Sequence, residues 1–227
     1  MASRLRLPDH THRMTINGRT GTGKTQFAAW VLSKSPFDRI PYVIMDFKRE
    51  KLLNSIHRAK YLDLSEKLPK KSGIYILQPS FGDDDAIERW FWRVHNREKL
   101  GLFIDEGYMI PVRKALRVLL TQGRSKHIPM IILSQRPSGV SPFIYSEADF
   151  HCCFPLNDID DVKTVQRRTP RDFLLHPAWN PERKLLPFQS RWYDVANDYS
   201  TILNPVPSAD VILEDFDRRL KPKRKWI

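Results

Sequence analysis

Eight consecutive residues, Gly18-Arg19-Thr20-Gly21-Thr22-Gly23-Lys24-Thr25, have the types and spacing to hold a chain of phosphates. They fill every fixed position of the pattern G-x-x-x-x-G-K-[ST]. The glycines let the backbone wrap so that successive N–H groups point at the phosphates. Lys24 would reach the β- and γ-phosphates, and the Thr25 hydroxyl would bind Mg²⁺. A second constellation, Asp105-Glu106, ends the apolar run Leu100–Ile104. Asp105 would hold the hydration shell of Mg²⁺, and Glu106 would polarise an attacking water. A water activator beside a phosphate loop predicts hydrolysis of ATP over phosphorylation of a small molecule. A third candidate, Gln135, follows the run Met130–Leu133 in Ser134-Gln135-Arg136-Pro137-Ser138. The chain has no Asn-Lys-x-Asp element that would read guanine.

These side chains need strand ends and helix starts to hold them. Arg13–Asn17 reads as a strand, and Gln26–Ser33 as a helix, so the phosphate loop joins the two. Tyr42–Asp46, Gly73–Leu77, Leu100–Asp105 and Met130–Leu133 are short apolar runs that read as buried strands. Ala148–Phe154 reads as one more. Helices are expected at 50–59, after Asp83-Asp84-Asp85, over Val112–Gln122 with a stop at Gly123, and over Asp158–Arg168. The stripe Ile87, Trp90, Phe91, Val94 reads as core. Strands alternating with helices predict an α/β domain with a mostly parallel sheet and helices on both faces. Residues 184–203 read as a β-hairpin around Asn197-Asp198. Residues 1–12 are expected to be a mobile basic leader. Residues 13–227 are expected to form a single domain, with a core of about 13–155 and a C-terminal hairpin and helical extension of about 156–227.

The chain has 227 residues and a formal net charge of +12, which points to an anionic partner and foremost to nucleic acid. Basic residues concentrate at Lys48–Lys51, Lys67–Lys71, Arg113–Lys126 and Arg218–Lys225. The last stretch reads either as an arm for nucleic acid or a partner, or as a solubilising end. The two cysteines, Cys152 and Cys153, are adjacent. Neighbours rarely bridge, so both are expected reduced in a strand. No apolar run approaches the roughly 18 residues that span a bilayer, so no membrane insertion is expected.

The combination of Gly18–Thr25, Ile104-Asp105-Glu106 and Ser134–Ser138 resembles the FtsK–HerA superfamily of DNA-pumping ATPases. Asp46-Phe47-Lys48 resembles that superfamily's Asp-x-Lys element. Gln122-Gly123-Arg124-Ser125 resembles the Gly-Arg-Ser segment ahead of its sensor strand. The resemblance covers roughly residues 13–155 and implies a RecA-like (ASCE) P-loop NTPase core. It implies that the Gln135 strand lies between the phosphate-loop strand and the Asp-Glu strand, so that Gln135 senses the nucleotide. It also implies that Arg124, eleven residues before Gln135, acts on the nucleotide of a neighbouring subunit.

With the first strand starting near residue 13, no N-terminal barrel, anchor or DNA-recognition domain is expected. The genome-packaging ATPases of tailless, internal-membrane viruses such as tectiviruses share that economy. The resemblance thus implies a motor that moves double-stranded DNA without reading its sequence. It would work as a hexameric or pentameric ring with other proteins of the virion vertex, fed from the host cytoplasm. Two alternatives stand beside it. One is a nucleotide-dependent structural component of the vertex; the other is an assembly ATPase like those of filamentous phages.

Overall fold

The computed structural model describes residues 5–170, 173 and 185–221. Among these residues nine strands form one sheet: β1 (Arg13–Asn17), β2 (Pro41–Asp46), β3 (Lys60–Leu62), β4 (Gly73–Leu77), β5 (Gly101–Asp105), β6 (Met130–Ser134), β7 (Phe150–Cys153), β8 (Ser190–Asp194) and β9 (Tyr199–Leu203). Their order is β3-β4-β2-β5-β6-β1-β7-β8-β9. Pairings from β3 across to β7 are parallel, and β7–β8 and β8–β9 are antiparallel. The strand carrying Gln135, β6, does lie between β1 and β5, as the resemblance implies.

The helices are α1 (Lys24–Lys34), α2 (Lys51–Asn54), α3 (Asp84–Arg97), α4 (Lys114–Gln122), α5 (Pro142–Ser146), α6 (Ile159–Gln166) and α7 (Ala209–Leu220). The period-2 alternation of the strands divides the core into two layers. Val43, Met45, Leu102, Ile104, Met130 and Ile132 face α3, α4, α5 and α6. Tyr42, Ile44, Phe103, Ile131 and Leu133 face α1, α2 and α7. The 3.6-residue stripe of Ile87, Trp90, Phe91 and Val94 is buried, as its spacing predicts.

Some elements depart from the sequence reading. The helix expected at 50–59 is confined to Lys51–Asn54, because the chain turns at Ile56–Ala59 to lay β3 beside β4. β3 and α5 escaped notice, one for its brevity and the other because it is a single turn behind a proline. Residues 5–12 are not a free leader. Leu5 and Leu7 pack against the α1-side core, and Arg6 donates to Asp194 at 3.2 Å and lies over the Phe150 ring. The start of the C-terminal basic stretch belongs to α7, which buries Ile212 and Phe216. Arg219 there bonds Asp38 and covers Phe37. Residues 222–225, the rest of that stretch, lie outside the described residues. No helix among the described residues is long and apolar enough to cross a membrane.

Candidate active site

The parallel strands deliver three loops to one edge of the sheet, at the carboxyl ends of β1, β5 and β6. Open α/β sheets place their ligand sites on that edge. The loop after β1 wraps through Gly21 at φ 79° and Gly23 at φ 91°, a conformation that a side chain would strain. Gly23 caps α1, so the loop ends at the positive end of an eleven-residue helix. A pocket of about 250 Å³ opens over it, lined by Thr20, Gly21, Lys24, Thr25, Lys48 and Gln135 among others. A concave cluster of backbone donors with two lysines suits a chain of phosphates.

Beside this cradle, β2 and β5 run in register, with Asp46 opposite Asp105. Asp46 is satisfied by its own surroundings: it accepts from the Glu50 N–H, Asn54 Nδ2 and Gln78 Nε2. Asp105 is not. Both its carboxylate oxygens are buried without a hydrogen-bond partner. Burial, with the Glu106 carboxylate adding to it, pushes its carboxyl up to about 7, against the pull of Lys24 and Lys48. Two orphaned hard oxygens are a donor set that fits Mg²⁺, so the residues present agree with the metal expected from sequence.

Glu106 is fully buried and left-handed, at φ 72° and ψ 72°. Such a backbone is sparsely populated for a non-glycine residue and is found where a side chain must be aimed. Glu106 Oε1 is engaged by the Lys48 ammonium and by Gln135 Nε2 at 2.6 Å, with Lys24 Nζ at 3.9 Å. Glu106 Oε2 has no partner. Gln135 faces the other way too: its Oε1 accepts from Thr20 Oγ1 at 2.7 Å. One amide thereby ties the phosphate loop to Glu106. Lys24 is buried between Glu106 and Asp105, and burial lowers its pKa against the opposing pull of the two carboxylates.

Of the residues expected from sequence, the structure gathers Gly18–Thr25, Asp105, Glu106 and Gln135 around one edge. Arg19 lines the mouth of the pocket. Arg124 stands apart. It follows α4 and precedes β6, at the amino ends of the strands, where it ion-pairs with Asp149 just ahead of β7. The length of β6, five residues or roughly 16 Å, separates it from the phosphate loop of its own chain. Lys48 was missed as a site residue. The signal was present in Asp46-Phe47-Lys48, but its relation to Glu106 depends on β2 lying beside β5.

No family model matches the chain. It is 44% identical over 225 residues to the DNA packaging ATPase P9 of Enterobacteria phage PRD1, a match covering 97% of this chain and 98% of that protein. Among solved structures it is similar to the genome packaging NTPase B204 of Sulfolobus turreted icosahedral virus 2 in complex with AMPPCP. That likeness has a TM-score of 0.70 at 18% identity, over 88% of this chain and 100% of that one. The B204 DNA-packaging ATPase of Sulfolobus turreted icosahedral virus gives 0.66 at 21% identity, over 87% and 98%. At those identities the two structures speak to the fold, and the phage relative speaks to the family.

Proposed function

Because the chain belongs to the family of viral DNA-packaging ATPases, we propose that it hydrolyses ATP in order to drive double-stranded DNA into a virion, as a head-to-tail ring. The observation that carries the mechanism is the Thr20–Gln135–Glu106 bridge, which couples the phosphate cradle to an acid able to activate water. Gly18–Thr25 cradle the phosphates, and Lys24 meets the β- and γ-oxygens. Thr25 and Asp105 would hold Mg²⁺, which would supply positive charge against the phosphate oxygens.

Glu106 is the base. Lys48 and Gln135 hold the carboxylate through its Oε1, and in this reading the carboxylate takes the proton of the attacking water. Gln135 fixes that carboxylate and reports through Thr20 on what the loop holds. Arg124 works on the neighbour. It lies at the opposite edge of the sheet from its own phosphate loop, and a heterologous, head-to-tail interface joins opposite edges of successive subunits.

The net charge of +12 supplies the grip on DNA. Contacts to phosphates position a duplex without reading it, so unrelated sequences should bind alike and binding should fall steeply with salt. The ring would sit at the packaging vertex and be loaded from the host cytoplasm.

The test is ATP turnover with and without duplex DNA of two unrelated sequences, alongside the mass of the assembled state. Both duplexes should stimulate turnover of a ring. Turnover that ignores DNA would favour the structural vertex component over the motor.

A further inference from the structure

Beyond the phosphate loop, on the β7 side of β1 and so away from Asp105, lies a second cavity that none of the sequence motifs explains. Its volume is about 140 Å³, and its walls include Gly23, Gln26, Phe154, Phe188, Pro205 and Val206. A cavity of about this size is enough to hold a benzene ring. Gly23 and Gln26 also line the phosphate pocket. The two spaces therefore share a wall, and a molecule whose phosphates rest on the loop reaches the second by passing Gly23.

Phe154 and Phe188 make the cavity aromatic. Phe154 follows β7 and is held edge-on by Phe27, with ring centroids 5.7 Å apart. Phe188 is different. It is 57% exposed. It occupies the third position of a tight turn, Leu186–Gln189, closed by the Gln189 N–H on the Leu186 carbonyl at 3.0 Å and by the Leu186 N–H on Gln189 Oε1 at 2.9 Å. Its φ is 62°. Glycine or asparagine suits that position, since other side chains are strained there. Its ring nevertheless lies over the phosphate loop: a Cβ added to Gly23 would fall 3.1 Å from Phe188 Cδ1. A large apolar ring that is strained and exposed adds little to the core. Strain of this kind is concentrated at ligand clamps.

We propose that this cavity receives the purine base of the nucleotide, with Phe188 as the stacking face and Phe154 as the inner wall. The proposal rests on the reading of Gly18–Thr25 as the phosphate site. Aromatic rings stack on bases regardless of sequence because every base presents a π-face.

The experiment measures affinity for ADP and for inorganic tripolyphosphate, both with Mg²⁺, by calorimetry on the full chain. Phe188→Ala should weaken ADP roughly tenfold or more and leave tripolyphosphate unchanged. Phe188→Tyr should restore ADP binding. Phe188→Gly relieves the positive φ, so its thermal stability should hold or rise while ADP affinity still falls. A purely structural role for Phe188 would not move those two readouts in opposite directions. Equal loss of both ligands, or loss of neither, would overturn the base site. If the unaltered chain bound no tripolyphosphate, the phosphate site itself would fail, and the base site with it.

Discussion

Glu106 has two carboxylate oxygens in different circumstances. Oε1 is spent on Lys48 and Gln135, while Oε2 is buried and unpartnered. With Glu106 as the proposed base, Glu106→Gln keeps the shape and removes that base, so ATP binding should survive while turnover falls by about 10²-fold or more. Lys24→Ala should lose both, because it takes away a phosphate ligand. Single-turnover kinetics with an equilibrium binding assay separates the two outcomes. Near-normal turnover in Glu106→Gln would remove the role given to it. Phosphate loop, acid pair and Gln135 were all legible in the sequence because each motif is contiguous. Lys48 was legible only as the end of Asp46-Phe47-Lys48, without its link to Glu106, and Phe188 was not legible. Each acquires its place only when strands far apart in the chain become neighbours.

At the scale of elements, the seam between β1 and β7 sets the site's footing. β1 alternates Arg13, Thr15, Asn17 with Met14 and Ile16, a pattern that ordinarily marks a strand with one wet face. All five are buried. The polar face is only partly satisfied inside: Tyr145 donates to Asn17 Oδ1 at 2.9 Å and Thr15 Oγ1 lies 2.8 Å from His151 Nδ1, while Asn17 Nδ2 and Arg13 Nε are buried without a hydrogen-bond partner. His151 is sandwiched by the Tyr145 and Tyr193 rings, nearly parallel at 14° and 13°. Burial lowers its pKa from 6.5 to about 4, with Arg168 adding to the effect. The native state therefore keeps His151 neutral where the unfolded chain would already be protonated. The unfolded state binds more protons between pH 6.5 and 4, so this stability is full above 6.5 and is lost as pH falls through that window. Relative to His151→Gln, the unaltered chain should lose about 3 kcal/mol of its advantage between pH 7 and 4. Denaturant midpoints across that range would show it. A constant difference at all pH values would mean that His151 titrates normally.

In the proposed function the whole molecule has two working edges. The nucleotide loops occupy the carboxyl ends of the strands, and Arg124 the amino ends, held by Asp149. A lone subunit cannot bring them together across the sheet, and a head-to-tail ring can. Removing an arginine of this kind typically costs about 10³-fold or more in rate. Arg124→Ala and Lys24→Ala should each be nearly inactive alone. Mixed, some interfaces pair an intact Lys24 with an intact Arg124 from the neighbour, and activity should return. If Arg124 served its own subunit, every site in the mixture would be broken and none would return. Sizing of the mixture first establishes that both variants assemble.

The phosphate-loop motif and the class of the sheet were readable from local patterns alone. A phosphate loop, an acid pair at a strand end and apolar runs at regular intervals are local patterns, and local steric and hydrogen-bonding rules suffice to read them. The fold's margins were decided by tertiary packing. Residues 5–12 lack a strong signal of their own, and the amphipathic stripe of α7 does not say which surface it covers; Leu5, Leu7, Ile212 and Phe216 find apolar surface on the α1 side of the sheet. The four-residue α2 shows the reverse, a helical pattern cut short because β3 had to reach β4. Which lysine meets Glu106 and which aromatic ring overhangs the loop depend on strand order. Strand order is a property of long-range pairing, and no short window of residues contains it.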